Sequence, residues 1–456
     1  MKQLINLCLI IISLPLYSQI QVGQDIESGG GAGFSVDISN NGNRVIVGSP
    51  YFGPNWFSND GKAAVYEMIN GTWTQLGPDL SGTPGSQFGF NVSISGDGNT
   101  FAVSSYNPGS SDSGLVKVFQ DSTGILVQKG QDISGDYIGW AVDISDDGNT
   151  LAVSSQYPIG FVRIYRWINS SWTQIGYDII EPNAFTGYGI ELSNDGNILA
   201  VGSARPADTG YVKTYSLLND TINLFGNKIQ KNNQNSGLFG YSLSFADQGQ
   251  ILAVGNFSAG SASVYQFTNN SWTQIGTDII PTYFSLDFGF SVALSELGDI
   301  IAIGARHTSG SGIESGRTEI YHKSTVTNDW VFKAGINGEF AGDKSGYWVA
   351  LSNSGDTVAI GAPNHSPDGQ VRVFNIGMLG LPKIDNKLAV YPNPAKNLIS
   401  IDLDQPFDFQ IFDVRGSLVI SGNSEGLIDL SNISSGNYLL LLDTPSGIIS
   451  QIIEKL

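Results

Sequence analysis

Residues 169–180 read NSSWTQIGYDII and residues 269–280 read NNSWTQIGTDII, with two positions changed across twelve. A catalytic constellation needs each of its residues once, so a near-verbatim copy about a hundred residues on marks a structural unit used several times. Upstream of each copy lies a second repeated stretch, present seven times: FSVDISNNGNRVIVGS from Phe34, FNVSISGDGNTFAVSS from Phe90, WAVDISDDGNTLAVSS from Trp140, YGIELSNDGNILAVGS from Tyr188, YSLSFADQGQILAVGN from Tyr241, FSVALSELGDIIAIGA from Phe290 and YWVALSNSGDTVAIGA from Tyr347. Their first residues lie 48 to 57 apart, the period expected of a propeller blade.

Each copy opens with alternating apolar residues, turns at Asp-Gly or a variant of it, and returns as a nearly continuous apolar strand, which is a β-hairpin pattern. A third strand follows (GKAAVYEM, GFVRIYRW, SASVYQF), then a turn (NGTW, NSSW) and a fourth strand, TQIGYDI. The opening segment is therefore the turn and outermost strand of a blade. Trp73, Trp172, Trp272 and Trp330 recur there as large apolar side chains at that edge. The seventh copy ends at Gly369–Phe374 without such a strand, whereas residues 20–26, IQVGQDI, match it. The N-terminus is expected to pair into the last blade and close the ring, which removes exposed edges. The expected fold is all-β: a seven-bladed β-propeller closed by an N-terminal strand, followed by a small C-terminal Ig-like β-sandwich.

Composition agrees, with 57 glycines, 18 tyrosines and 23 phenylalanines but only 14% charged residues, the mark of many short strands and tight turns. A net charge of −19 repels phosphate backbones and anionic lipid heads and argues against a nucleic-acid partner. The sole cysteine, Cys8, lies in MKQLINLCLIIISLPLYSQ, where Lys2 precedes an apolar run from Leu4 to Leu16. Residues 1–19 read as a secretory signal peptide, and the run falls short of the roughly 20 residues a spanning helix needs. The mature chain is expected to carry no transmembrane segment, thiol, disulfide or cysteine-based metal site.

Phe88-Gly89, Phe239-Gly240 and Phe288-Gly289, with Gly361-Ala362-Pro363 and the partial Gly304-Ala305 and Gly48-Ser49-Pro50, resemble the FG-GAP family of β-propellers, of which integrin α-chain heads are the known example. The resemblance covers about residues 20–375. Calcium-binding members insert D-x-[DN]-x-D-G into the first hairpin. Here the turns read SNNGN, SGDGN or SNDGN, too short and too poor in carboxylates, so neither calcium nor any other cofactor is expected. A sialidase Asp-box is also missed, because glycine follows Asp97 directly in SGDGNTF, Ser95 to Phe101.

After a linker at 376–386, residues 387–456 read as short alternating strands of a small β-sandwich. Tyr391-Pro392-Asn393-Pro394-Ala395 with Asn397, then Ile411-Phe412-Asp413-Val414-Arg415-Gly416, Ile428-Asp429-Leu430-Ser431 and Gly436-Asn437-Tyr438 resemble the type A C-terminal sorting domain of the type IX secretion system of Bacteroidetes. The resemblance implies Sec export, engagement of that secretion machinery, and release outside the cell or attachment at its surface. Gln451 stands where the family commonly has a lysine leading the last strand.

No serine–histidine–acid set, nucleotide-binding loop or zinc-spaced cluster occurs. His322 belongs to a third strand. His307 and His365 follow the second strands of adjacent repeats and fall in corresponding loops; a shared metal would need Glu314 or Asp368 as further ligands, and none is expected. Acidic pairs such as Asp146-Asp147 suit hairpin turns without a catalytic role. Function on a rigid scaffold usually sits in its variable loops. Those after the second strand and between blades carry Tyr51, Phe52, Trp56, Phe57, Tyr106, Tyr157, Arg205, Arg306, His307 and His365, a content that suits recognition. The expected function is non-enzymatic binding or adhesion to an extracellular polysaccharide or protein. The alternative is a polysaccharide hydrolase or lyase whose carboxylates converge from separate loops.

Overall fold

A computed structural model describes residues 20–53, 59–106, 113–156, 160–181, 185–204, 210–231, 238–283, 285, 287–325, 327–376, 390–401, 407–412, 418–424, 426–444 and 447–456. The chain divides into two compact units, Met1–Gly377 and Met378–Leu456.

The third repeat shows how one copy folds. Ile138–Ile144, Thr150–Ser155, Phe161–Ile168 and Ser171–Ile180 pair in that order, each antiparallel to the next. Its second strand, TLAVSS, is buried along its whole length. Its run of apolar and small residues fits a strand covered on both faces by neighbouring sheets. Ile164, Ile175 and Ile179 of this sheet share one core with Ile190, Leu192 and Leu199 of the next. Among the described residues of the first unit, seven antiparallel sheets follow this plan. Their first strands touch one another in sequence order, and Ser35–Ile38 also touches Trp348–Leu351, so the cycle of contacts is closed.

In the last sheet, Gln370–Asn375 pairs with Ile20–Gln21, Ile20 opposite Asn375 and Gln21 opposite Phe374. Ile26 and Val371 then exchange both backbone hydrogen bonds at 2.9 Å. Ile26 is buried beneath this pairing.

The twelve-residue repeat proves to be two halves of a latch between sheets. Trp172 Nε1 donates to Lys129 O of the preceding sheet at 2.8 Å. The Gln131 side-chain amide donates to Trp172 O at 2.6 Å and accepts from Trp172 N at 3.0 Å. Trp73 is held in the same way by Val22 O and Gln24, and Asn227 takes the glutamine's place beside Trp272. The glycine before each amide lets the ring approach: Gly130 has φ +83°, and a Cβ there would lie 2.5 Å from the Trp167 ring. The turn at this glycine interrupts the outer strand. In two sheets it splits into Thr72–Gln75 with Leu80–Ser81, and Ile125–Gln128 with Ile133–Asp136, both pieces pairing with the same third strand. Five strands thus stand where four were expected. In Ser171–Ile180 the strand continues through a register shift opposite Val162 and Ile164.

The second unit has two sheets, Val390–Tyr391/Leu398–Ile401/Leu427–Asp429 and Leu418–Ser424/Phe407–Phe412/Gly436–Thr444/Gly447–Lys455. Both feed one core that includes Ile399, Ile401, Phe407, Ile428, Leu440 and Ile453. The Tyr391–Ala395 segment holds the chain end. Asn393 Oδ1 accepts from Glu454 N at 2.8 Å, Ala395 N donates to Glu454 O, and Leu456 N donates to Ala395 O. Pro392 and Pro394 lie in this segment, and Gly436 opens the strand in which Tyr438 donates its hydroxyl proton to Ser434 O at 2.8 Å. Asp413 and Gly416 lie outside the described residues, as does most of the expected linker.

Candidate functional site at the central channel

The first residue of the repeated stretch, in or just before the inner strand, is aromatic in all seven copies, and these side chains meet. Ring centroids are 5.1 Å apart for Phe34–Phe90, 5.5 Å for Phe90–Trp140, 5.4 Å for Trp140–Tyr188 and 5.4 Å for Tyr188–Tyr241. Tyr241–Phe290 at 5.0 Å, Phe290–Tyr347 at 5.1 Å and Tyr347–Phe34 at 4.9 Å complete a closed ring. Six of the seven side chains keep partial exposure, while Phe290 is covered by the Arg306 guanidinium, 3.7 Å from its centroid.

Around this ring sit side chains from the loops after the second strands. Tyr51 stands edge-on to Phe34 at 5.5 Å and is 47% exposed. Tyr106 packs on Phe90 and Trp140, Phe257 on Tyr241 and Phe290, and Arg306 reaches Tyr347 as well. Three expected site residues, Tyr51, Tyr106 and Arg306, are thus brought together. Phe52 is not among them, since its ring lies under Lys62 Nζ at 4.1 Å. His307 and His365 do not share a site. His307 Nδ1 is 3.0 Å from Asp287 Oδ2, and His365 Nδ1 is 3.1 Å from Asp343 Oδ2, each in its own sheet's loops. Trp56, Phe57, Tyr157 and Arg205 lie outside the described residues.

The ring lines one end of a cavity of about 240 Å³ that continues to Asn40, Asp146 and Asn353. Three residues along the inner strands from the aromatics, Asp37, Asp143 and Glu191 line it. Each also ties its strand to the next sheet. Asp37 Oδ2 accepts from Ile94 N at 2.8 Å, and Asp143 Oδ2 from Leu192 N at 2.6 Å. Glu191 Oε1 accepts from Phe245 N at 3.4 Å. Ser93 and Ser244 make the same link with their hydroxyls to Ile144 N and Leu294 N. These carboxyls keep some accessible surface because they line the cavity, yet desolvation dominates them. Burial pushes Asp37 up to about 7, Asp143 up to about 6, and Glu191 well above the usual carboxylate range, the neighbouring acids adding to each rise. Three residues further on, six backbone hydrogen bonds join successive hairpin turns, among them Asp146 N to Asn194 O and Asn353 N to Asn40 O. Asp146 and Glu296 sit at this end, both raised by burial. Among the described residues no group of three or more His, Cys, Asp or Glu side chains is placed to hold a metal ion.

The aromatic ring and the channel acids were absent from the sequence-derived site. Their signal is the first and fourth columns of the sevenfold alignment: the first is aromatic in every copy, and the fourth is acidic in three.

Residues 389–455 match the Secretion system C-terminal sorting domain. Over 122 residues the chain is 32% identical to integrin alpha-7 of Mus musculus, a stretch that is 25% of this chain and spans only 10% of that relative. Among solved structures, the Myceliophteria thermophila Cps50 (Swd1) β-propeller domain superposes with a TM-score of 0.53 at 11% identity, covering 78% of this chain and 99% of that one. Kuenenia stuttgartiensis hydrazine synthase does so with 0.52 at 14% identity, covering 76% and 97%. At these identities the likeness shows the fold alone. No described helix is long and apolar enough to cross a membrane. This chain is a β-propeller protein with FG-GAP-like similarity that carries a type IX secretion C-terminal sorting domain, which directs it to the cell surface or the extracellular space.

Proposed function

We propose that this chain is a non-enzymatic binding or adhesion protein that recognises an extracellular polysaccharide or protein at the loop-rimmed mouth of its propeller channel. In this reading the signal peptide occupies 1–19 and a seven-bladed propeller 20–375, with Ile20–Ile26 completing the last blade. A linker at 376–386 leads to an Ig-like sandwich at 387–456, which engages the secretion machinery. The supporting observation is the closed, partly exposed aromatic ring with Tyr51, Tyr106, Phe257 and Arg306 around it. Rigid aromatic faces flanked by a guanidinium suit stacking against sugar rings or anchoring a partner's side chain. The test is a binding screen of the exported chain against algal, bacterial and host glycans, with product analysis of any glycan bound. Binding without cleavage that is lost in Tyr51→Ala and Tyr106→Ala supports this reading; no glycan binding moves the ligand to a protein.

A second reading, a polysaccharide hydrolase or lyase, draws on the convergence of Asp37, Asp143 and Glu191 on one cavity with their protons held unusually tightly. Against it, all three carboxylates already accept backbone N–H groups of a neighbouring sheet. Released oligosaccharide that disappears in Glu191→Gln would favour the enzyme.

A further inference from the structure

We infer that the central channel takes a linear aliphatic amine in its cationic form, with one ammonium head inside the aromatic ring and a second reaching the carboxylates below. The inference rests on the channel mouth being the binding site and names the chemistry that fits it.

The ring has the dimensions of a cation site. Its seven centroid separations lie between 4.9 and 5.5 Å. A regular heptagon of that side places a charge on its axis about 6 Å from every centroid, the reach of a cation–π contact. The ring already shows this preference within the chain, because the Arg306 guanidinium carbon lies 3.7 Å from the Phe290 centroid and 5.0 Å from that of Tyr347.

The channel beneath continues the same selection. Among the described residues lining the cavity are Asp37, Asp143, Asp146, Glu191 and Glu296, and no lysine, arginine or histidine. The lining offers an anion no cationic partner, whereas an ammonium supplies the counter-charge that lets a carboxyl ionise. Three residues of strand separate the aromatic layer from Asp37, Asp143 and Glu191, about 10 Å, so a diamine with nitrogens that far apart spans both layers. The cavity of about 240 Å³ suits a slender chain. On binding, a carboxyl still protonated in the free protein ionises, and its proton passes to the buffer.

The test is isothermal titration of the full exported chain with 1,8-diaminooctane and with 1,8-octanediol, the neutral chain of the same length, at pH 7 in two buffers of different ionisation enthalpy. The diamine is expected to bind at least tenfold more tightly than the diol, with a buffer-dependent heat that reports proton release. Glu191→Gln keeps an acceptor for Phe245 N and should weaken the diamine about tenfold or more, as should Tyr188→Leu. Equal affinity for diol and diamine, an unchanged affinity in Glu191→Gln, or no diamine heat from folded protein up to about 10 mM would each overturn the inference. Glycan binding that Tyr51→Ala abolishes, beside no diamine binding, would leave the proposed function standing and remove this refinement alone.

Discussion

Raising the pH from 5 to 8 should destabilise the propeller through the channel acids. Asp37 has a carboxyl raised from 3.8 to about 7 by burial. The folded chain therefore keeps a proton that the unfolded chain has lost. For a group shifted upward, the stabilising contribution is full below the unfolded value and disappears as pH climbs through the folded one. For Asp37 alone, linkage between pH 5 and pH 8 is on the order of 2–3 kcal/mol. Asp143, raised to about 6, acts with the same sign, and its coupling to Asp37 makes a simple sum inappropriate. With an unfolding entropy of about 2.1 cal/mol/K per residue over roughly 350 residues, the Asp37 contribution corresponds to a few degrees in Tm. Groups shifted downward, such as Asp178 beside Arg163, act below about pH 4 and leave this window clear. Differential scanning calorimetry at constant ionic strength measures the slope, and Asp37→Asn, which keeps one oxygen to accept from Ile94 N, should flatten it. A Tm that stays level or rises from pH 5 to 8, or an unaltered slope in Asp37→Asn, would refute the reasoning.

Deleting residues 20–26 removes the pairing with Gln370–Asn375, the buried Ile26 and the partners of Trp73, a loss of at least about 5 kcal/mol; an unchanged melting temperature would contradict closure by the N-terminal strand. Trp172→Ala empties a buried site and leaves Lys129 O without its indole donor, so a chemical-denaturation midpoint should report about 3–5 kcal/mol lost. Gly130→Ala combines a positive φ with a 2.5 Å approach to Trp167 and should cost more than about 1 kcal/mol in the same assay. In the second unit, Asn393→Ala frees Glu454 N and should increase amide exchange of residues 453–456, measured by hydrogen exchange, with no change in the propeller.

The fold was legible because its design is repetitive. A period of 48 to 57 residues, with an outer strand left over before the first repeat and one missing after the last, specifies which strand joins which sheet without any knowledge of distant contacts. The latch was half legible: the recurrence of Trp172 and Trp272 marked a packing position, but its partner, Gly130-Gln131 for one and Gly226-Asn227 for the other, lies some 40 residues upstream, in the preceding blade. Reading each blade as a unit hid a contact that exists only between units. The split of the outer strand at Gly77 and Gly130 goes with the same kind of contact, since a positive φ at each lets a side chain of the next sheet in, Leu126 at Gly77 and Trp167 with Trp172 at Gly130.

The site was less legible for a related reason. Variation between copies pointed to loops, and Tyr51, Tyr106 and Arg306 do rim the channel. Recurrence by itself marks a packing position and does not tell that the first alignment column is also a surface. In a closed ring, however, an inner-strand position repeated in every blade converges on the axis, so seven weak signals become one surface. Phe34 to Tyr347 are therefore both packing residues and the wall of a channel, and the same geometry gathers Asp37, Asp143 and Glu191 from three separate blades into one cavity. A substitution in this layer acts on two properties at once: it alters a bond between neighbouring blades and the charge of the shared cavity. Conservative changes such as Glu191→Gln, which keep the acceptor and remove the charge, are the ones that separate stability from binding.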